Sequence, residues 1–232
     1  MIYMILENAL DKGDIIKKHN GEFYRYIPGK KRWMNTQTFD AKYIIPGAIY
    51  EMEYEELSEE KAMKKIKAQE ELFNNLLAKA SEIATEAHKN MMDKGGAPYI
   101  RHPEWVAEHV EETEGKILGW LHDVLEDTSV TEDDLRAAGF PERIILRLRR
   151  LSRKDGQKYS EYIRLVAKDR LTKKVKLADL ENNRDISRIP EPQEEDFRRL
   201  AKYGYALAYL DLPTSKGNLC QEILAKIDEL DS

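Results

Sequence analysis

Three separated segments carry the side chains best suited to chemistry. Leu118-Gly-Trp-Leu-His-Asp-Val-Leu-Glu-Asp127 sets His122 and Glu126 four apart, Asp123 and Asp127 four apart, and Asp123 and Glu126 three apart. On a helix these spacings put an imidazole and three carboxylates opposite Ile117, Leu118, Leu121, Val124 and Leu125. Alone, such a face reads most simply as a solvated one. Pro98-Tyr-Ile-Arg-His-Pro103 puts His102 just before a proline able to open a helix, where a lone histidine is ordinarily a cap or core residue. In the third segment, Lys174–Asp185, Asp179 lies between Ala178 and Leu180 with Val175 and Leu177 close by. A carboxylate in such surroundings is costly to bury unless it is paired or bound to a cation. Together, His102, His122, Asp123 and Asp179 offer a mixed nitrogen and oxygen donor set suited to a divalent transition metal.

The elements that must position these groups are helical. Ser58 is an N-cap followed by acidic first-turn residues. Beyond it Leu72, Phe73, Leu76, Leu77, Ala80, Ile83, Ala84, Ala87 and Met91 occupy one stripe at helical spacing, and Gly95-Gly96-Ala97-Pro98 ends the run. Further helices are expected at about 103–112, 116–127, 131–137, 141–151, 158–169, 171–185, 194–211 and 217–230. Residues 58–232 therefore read as an all-α helical bundle. The first 57 residues have a different texture and read as a small α+β module. It has a short helix over Ile5–Lys12, a β-hairpin over Asp14–Ile27 turned at Asn20-Gly21, a second turn at Pro28-Gly29, and strands at Lys31–Asn35 and Ile49–Glu55.

Four blocks in order, Ala87-His88, Gly96–Pro103, Leu121–Thr128 and Val175–Asn183, make the chain from about Ala84 to Arg188 resemble the HD-domain metal-dependent phosphohydrolases. Within them it is similar to the (p)ppGpp hydrolase domain of the RelA/SpoT type and its small stand-alone relatives. The resemblance implies that His102, His122, Asp123 and Asp179 hold one metal, typically Mn²⁺ or else another divalent transition metal. It implies that Glu126 and Asp127 orient or deprotonate the attacking water, that Asn183 lines the same site, and that Lys154 and Tyr159 meet the phosphates and sugar. Arg184 and Arg188 follow Asp179 closely enough to reach the same cleft. Two positions depart from the family pattern: Asp93 stands where an arginine is expected, and Asn182 where a histidine is expected. The expected activity is metal-dependent 3′-pyrophosphohydrolysis of (p)ppGpp, with degradation alone expected because no synthetase domain follows before the end at Ser232. The alternatives are another nucleotide or phosphorylated metabolite, or a non-catalytic nucleotide-sensing module.

Composition narrows the partners. The chain has 232 residues and a formal net charge of −5, which argues against long nucleic acid, whose binding needs a basic excess. No apolar run approaches a membrane span, no secretory signal is evident, and a cytoplasmic location is expected. The single cysteine, Cys220, rules out an intramolecular disulfide and reads as a buried helix residue. Arg147, Arg149, Arg150, Arg153 and Lys154 read as a solvated face or as an anion-attracting rim. His88 reads as core or as support for the site, His19 and His109 as surface, and Tyr203, Tyr205 and Tyr209 as packing. The first 57 residues are a candidate for homo-oligomer or protein contact.

Overall fold

The computed structural model describes residues 1–6, 13–28, 30–35, 54–212 and 217–231. The N-terminal part is an antiparallel sheet of β1 (Ile2–Leu6), β2 (Ile15–His19), β3 (Glu22–Ile27), β4 (Arg32–Asn35) and β5 (Tyr54–Leu57), in the order β4-β3-β2-β1-β5. His19 pairs with Glu22 across Asn20-Gly21, both at positive φ, as the expected hairpin turn requires. The expected helix over Ile5–Lys12 is corrected at its start, because Ile5 and Leu6 belong to β1; residues 7–12 lie outside the described residues. β1 pairs with β2 on one side and β5 on the other, and its Tyr3 packs on one face while Met4 and Leu6 pack on the opposite face. A strand buried on both faces loses its alternation and shows a continuous apolar run, which here resembled a helix. The strand expected over Ile49–Glu55 is seen from Tyr54; residues 49–53 lie outside the described residues.

The rest is helical: α1 (Glu59–Ala87), α2 (Arg101–Glu108), α3 (Thr113–Leu121), α4 (Val124–Asp127), α5 (Glu132–Ala137), α6 (Glu142–Leu151), α7 (Tyr159–Val166), α8 (Arg170–Asn183), α9 (Glu194–Asp211) and α10 (Gly217–Asp231), with a 3₁₀ turn at Ile186–Arg188. The Ser58 side chain accepts from Lys61 N–H and so caps α1. The first turns of α1 bury Ala62 and Ile66 against Tyr3, Ile15, Tyr26 and Leu57 of the sheet. Farther along, Phe73, Leu76, Ala80 and Ala84 enter the bundle core with α3, α6, α7 and α8, whereas Leu72 stays exposed. α1 ends at His88, ahead of the expected glycine pair. Asn90 takes φ 69°, a conformation asparagine tolerates better than most residues.

α2 and α3 pack unusually closely. A Cβ at Gly119 would lie 2.8 Å from the Cα and N of Ala107, so only glycine fits there. Buried ion pairs link sheet and bundle. Asp14 meets Arg25 at 2.7 Å and Arg143 at 3.0 Å, Arg143 meets Glu114 at 3.2 Å, and Arg147 pairs with Glu114 and with Asp169 at 3.2 Å. Arg147 is thus neither a solvated face nor a rim residue. Among the described residues no helix is long and apolar enough to cross a membrane.

Candidate metal centre

The expected continuous helix over 116–127 is broken where it matters. α3 stops at Leu121 and α4 restarts at Val124, with Asp123 at φ −96°, ψ −9°. The Glu126 N–H reaches back only three residues, to Asp123 O, at 3.2 Å. This turn separates groups that an unbroken helix would hold on one face: His122 points into the core and is 2% exposed, whereas Glu126 and Asp127 remain at the surface.

His102, at the start of α2, meets His122 there, their Nε2 atoms 3.2 Å apart. Asp179, from the middle of α8, brings Oδ1 to 3.1 Å from His102 Nε2 and 3.7 Å from His122 Nε2. Asp123 Oδ2 lies 3.0 Å from His122 Nε2 and 3.5 Å from His102 Nε2. His102, His122 and Asp179 are all buried, with one ligand atom each inside a 4.8 Å cluster. The outer nitrogens decide the chemistry. His122 Nδ1 is 2.8 Å from Gly119 O, and His102 Nδ1 is 2.8 Å from Asn182 Oδ1. Both oxygens are acceptors, so each Nδ1 carries the proton and each neutral imidazole turns a lone pair inward at Nε2. Two lone pairs and two carboxylate oxygens then face one another, an arrangement that fits a divalent cation. Without such a cation, burial lowers the affinity of His122 for a proton, but Asp123 and Asp179 outweigh it and raise its pKa to about 10.

Surrounding groups fix this set. Tyr99 OH donates to Asp123 Oδ2 at 2.6 Å and approaches Asp127 Oδ2 at 3.5 Å. Burial and Asp123 hold the Tyr99 hydroxyl well above its ordinary pKa, so it remains a donor. Asp179 Oδ1 accepts from Asn183 Nδ2 at 2.5 Å, and its Oδ2 lies 2.6 Å from Lys176 Nζ. Burial raises the Asp179 pKa, but Lys176 and the two histidines carry it well below the usual carboxylate range. Burial moves the Glu126 and Asp127 carboxyls upward, aided in each case by Asp123.

Two cavities flank the cluster and share Tyr99, Asn183 and Tyr203. One, about 240 Å³, has Met92 and Ile189 as apolar lining and Lys94, Arg188 and Arg199 as cations. The other, about 270 Å³, is lined by Glu126, Arg153, Tyr159, Lys176, Lys202 and Asp179, among others. Asn183, Arg188 and Tyr159 thus reach the centre's surroundings. Lys154 and Arg184 are exposed and line neither cavity. Asp93 is occupied locally: its Oδ1 accepts from Gly95 and Ala97 N–H at 2.9 and 2.8 Å, pinning the loop that a Met92–Pro98 bridge closes. Gly95 sits so close to Arg188 that a Cβ would fall 2.1 Å from its carbonyl oxygen. Sequence reasoning passed over Tyr99, Lys176, Arg199 and Lys202. Tyr99 and Lys176 lie inside the segments already singled out, but Lys202 belongs to no motif. Tyr203 lines both cavities, so it does more than pack, and Cys220 is only partly buried.

No family model matches the chain. Three curated relatives share the name guanosine-3′,5′-bis(diphosphate) 3′-pyrophosphohydrolase. The protein from Borreliella burgdorferi is 37% identical over 70 residues, 28% of this chain and 10% of its own length. The one from Haemophilus influenzae is 40% identical over 58 residues, 23% of this chain and 9% of its own length. The one from Spiroplasma citri is 34% identical over 90 residues, 37% of this chain and 12% of its own length. This chain therefore spans about a tenth of the length of the curated relatives it matches. A solved structure described as a metazoan ortholog of SpoT that hydrolyses ppGpp aligns with a TM-score of 0.50 at 21% identity, over 67% of this chain and 93% of its own. Over about two thirds of its length the chain is thus similar in fold to that hydrolase.

Proposed function

We propose that the chain is a divalent-metal-dependent phosphohydrolase that removes pyrophosphate from the 3′ position of (p)ppGpp, leaving GDP or GTP. The observation that carries this reading is the inward convergence of His102 Nε2, His122 Nε2, Asp123 and Asp179, with both imidazoles committed as Nδ1 donors, between two cation-lined cavities. The names of the curated relatives and the description of the structural neighbour support the substrate. Residues 58–232 are assigned to the hydrolase domain, with residues 1–57 as a separate module.

The mixed nitrogen and oxygen set suits a divalent transition metal, Mn²⁺ being the one the resemblance implies, and when bound it would supply a water of lowered pKa and offset charge on phosphoryl oxygens. The chain's own residues do the rest. Glu126 faces the polar cavity with its carboxyl above the ordinary range, so it takes up a proton closer to neutral pH. Asp127 is the second acid and is linked through Tyr99 to Asp123. The water oxygen bonds to phosphorus as the bond from phosphorus to the 3′ oxygen breaks. One water proton passes to Glu126, and the departing oxygen is protonated from solvent. The cavity with Met92, Ile189 and Tyr203 takes the nucleoside, with Lys94, Arg188 and Arg199 on its phosphates.

Asp93 favours a second reading with the same chemistry and a different base, because an acidic side chain stands where the family pattern has arginine. A panel of nucleotides assayed for Mn²⁺-dependent phosphate and pyrophosphate release separates the two. Pyrophosphate from ppGpp, abolished by Asp179→Asn and cut severely by Glu126→Gln, is the expected result. Metal-dependent release from another nucleotide alone selects the second reading, and no metal-dependent release from any of them overturns both.

A further inference from the structure

The last two helices leave an apolar face uncovered, away from the metal cluster. α9 and α10 run antiparallel: Arg198 Nη2 donates to Glu229 O at 3.3 Å and Lys202 Nζ to Asp231 Oδ1 at 2.8 Å, so the start of α9 lies beside the end of α10. The inner side of the pair belongs to the core, through Ala206, Leu210, Ile223, Leu224 and Ile227. A surface helix ordinarily turns charged residues outward. α9 instead repeats Phe197, Ala201, Tyr205 and Ala208 at helical spacing along its outer side, and all four are exposed. Phe197 is 55% exposed and Tyr205 38%. On α10 the neighbouring outer row is Leu219, Glu222, Lys226 and Glu229, also exposed, with Leu219 at 40%. Between the rows lies a groove of about 460 Å³, lined by Tyr205, Leu219, Ile223 and Ala225 along with the three charged residues of that row. It is larger than either cavity beside the cluster. Exposed apolar side chains gathered on one face, unlike scattered ones, mark a contact surface.

We propose that this face pairs with the same face of a second copy of the chain, giving a two-fold dimer through a four-helix contact. The order of charges selects that occupant. A groove suited to an acidic or a basic partner carries one sign, whereas Glu222, Lys226 and Glu229 alternate along one row, with Lys226 Nζ 2.6 Å from Glu229 Oε2. An alternating row is complementary to itself when reversed. A two-fold axis lying in the contact and crossing the helices at the level of Tyr205, midway between Glu222 and Lys226, stacks α10 on α10 antiparallel. It sets Lys226 of each copy opposite Glu222 of the other and brings the two Tyr205 side chains together near the axis. The face is large enough. α9 has 18 residues and α10 has 15, so the pair is about 22–27 Å long and about 20 Å wide, roughly 450 Å² in projection. Accessible area exceeds projected area, which brings the contact to the lower end of specific interfaces and makes the dimer reversible. The dimer does not depend on which phosphate ester is cleaved, and it uses the helical part of the chain in place of the first 57 residues.

The test is equilibrium sedimentation of the full chain from about 1 to 300 µM, the range in which a reversible dimer of this size changes population. The wild type is expected to pass from monomer to dimer. Tyr205→Glu, which puts two carboxylates beside the axis, is expected to weaken the dimer more than about thirtyfold, with the melting temperature of the dilute protein unchanged. Lys226→Glu and Glu222→Lys each set like charges opposite one another twice and should each weaken it about tenfold. An equimolar mixture of those two variants should recover the dimer, because every facing pair is again opposite in sign. A wild type that stays monomeric throughout, or a dimer that Tyr205→Glu and both charge variants leave intact, would overturn the proposal. So would assembly beyond two copies, since a two-fold contact closes on itself, and so would a mixture that fails to recover after each variant alone has weakened the dimer.

Discussion

Replacing Gly119 with alanine tests whether the α2–α3 contact sets the metal centre. A Cβ at this position would sit 2.8 Å from the backbone Cα and N of Ala107 and 3.2 Å from its Cβ. Carbon contacts relax at about 3.5–4.0 Å, so the helices must separate by about 0.7–1.2 Å. Over-packing of this kind costs about 1–3 kcal/mol, and the higher helix propensity of alanine returns about 1 kcal/mol. The net loss of stability is therefore small, about 0–2 kcal/mol. The effect on the site is larger. His102 starts α2, His122 follows α3, and the Gly119 carbonyl itself accepts from His122 Nδ1. Metal–nitrogen bonds tolerate errors of only about 0.2 Å, and loss of supporting contacts around metal ligands typically weakens binding about 10–100-fold. Thermal unfolding with and without Mn²⁺ reads this directly. At a metal concentration 100 times the wild-type Kd, the wild type gains about 2.7 kcal/mol, whereas a variant weakened 100-fold gains about 0.4 kcal/mol. A Gly119→Ala protein that loses stability without metal but keeps the full Mn²⁺ gain would refute the coupling.

Three further outcomes follow from the same contacts. Gly95→Ala, whose Cβ would meet the Arg188 carbonyl oxygen at 2.1 Å, should raise KM about tenfold, the scale of one lost charged contact, and leave the Mn²⁺ gain intact; an unchanged KM removes Arg188 from the substrate side. Arg147→Met removes one of the two buried guanidinium groups on Glu114, which keeps Arg143, and the nearer cation on Asp169; it should cost about 3 kcal/mol in urea unfolding, a cost under about 1 kcal/mol contradicting a structural role for Arg147. Glu112 tests pH dependence: burial raises its pKa, but Arg170 and Lys174 outweigh it and hold it at about 2. Its carboxylate therefore contributes stability that is complete above its unfolded pKa of 4.5 and is lost as pH falls through 2. Arg170 and Lys174 are about 40% exposed, so solvent screening reduces the effect to about 1–2 kcal/mol. Glu112→Gln should lower the unfolding free energy at pH 7 and converge with the wild type near pH 2.

Of the candidate donors, Asp179 stands out in the sequence by a setting that makes its charge expensive, whereas His102, His122 and Asp123 join it only as a set and through the resemblance of their segments. Asp179 among Val175, Ala178 and Leu180 is a charge that needs a partner, and the structure gives it two imidazoles and Lys176. The geometry that joins the donors was not readable. His122 and Asp123 were assigned to an unbroken helix, yet the turn between α3 and α4 sends one side chain inward and leaves Glu126 and Asp127 outside. Periodicity records which residues share a face only while the helix continues. The same limit explains β1, whose Ile5 and Leu6 fit a helical pattern until pairing on both edges is known. Lys202 was invisible for another reason: it meets Asp231 across 29 residues of chain, and Arg153 reaches the same carboxylate across 78, and no local spacing encodes such contacts.

Net charge is the clearest case of a correct observation that constrains less than it first suggests. A balance of −5 over 232 residues argues against a partner that samples the whole surface, because screening confines each charge to about 8 Å at physiological salt. A small polyanion samples one cavity. There Asp123 and Asp179 face the candidate cation centre and would be offset by a divalent ion bound there. Lys176, Lys202 and Arg153 then stand against Glu126, with Asp231 behind, so the local balance is positive although the chain is acidic. The sign of that cavity is therefore set by metal occupancy, which makes pyrophosphate binding expected with Mn²⁺ and weak without it. Pyrophosphate that binds equally well to metal-free protein would show that the three cations suffice alone.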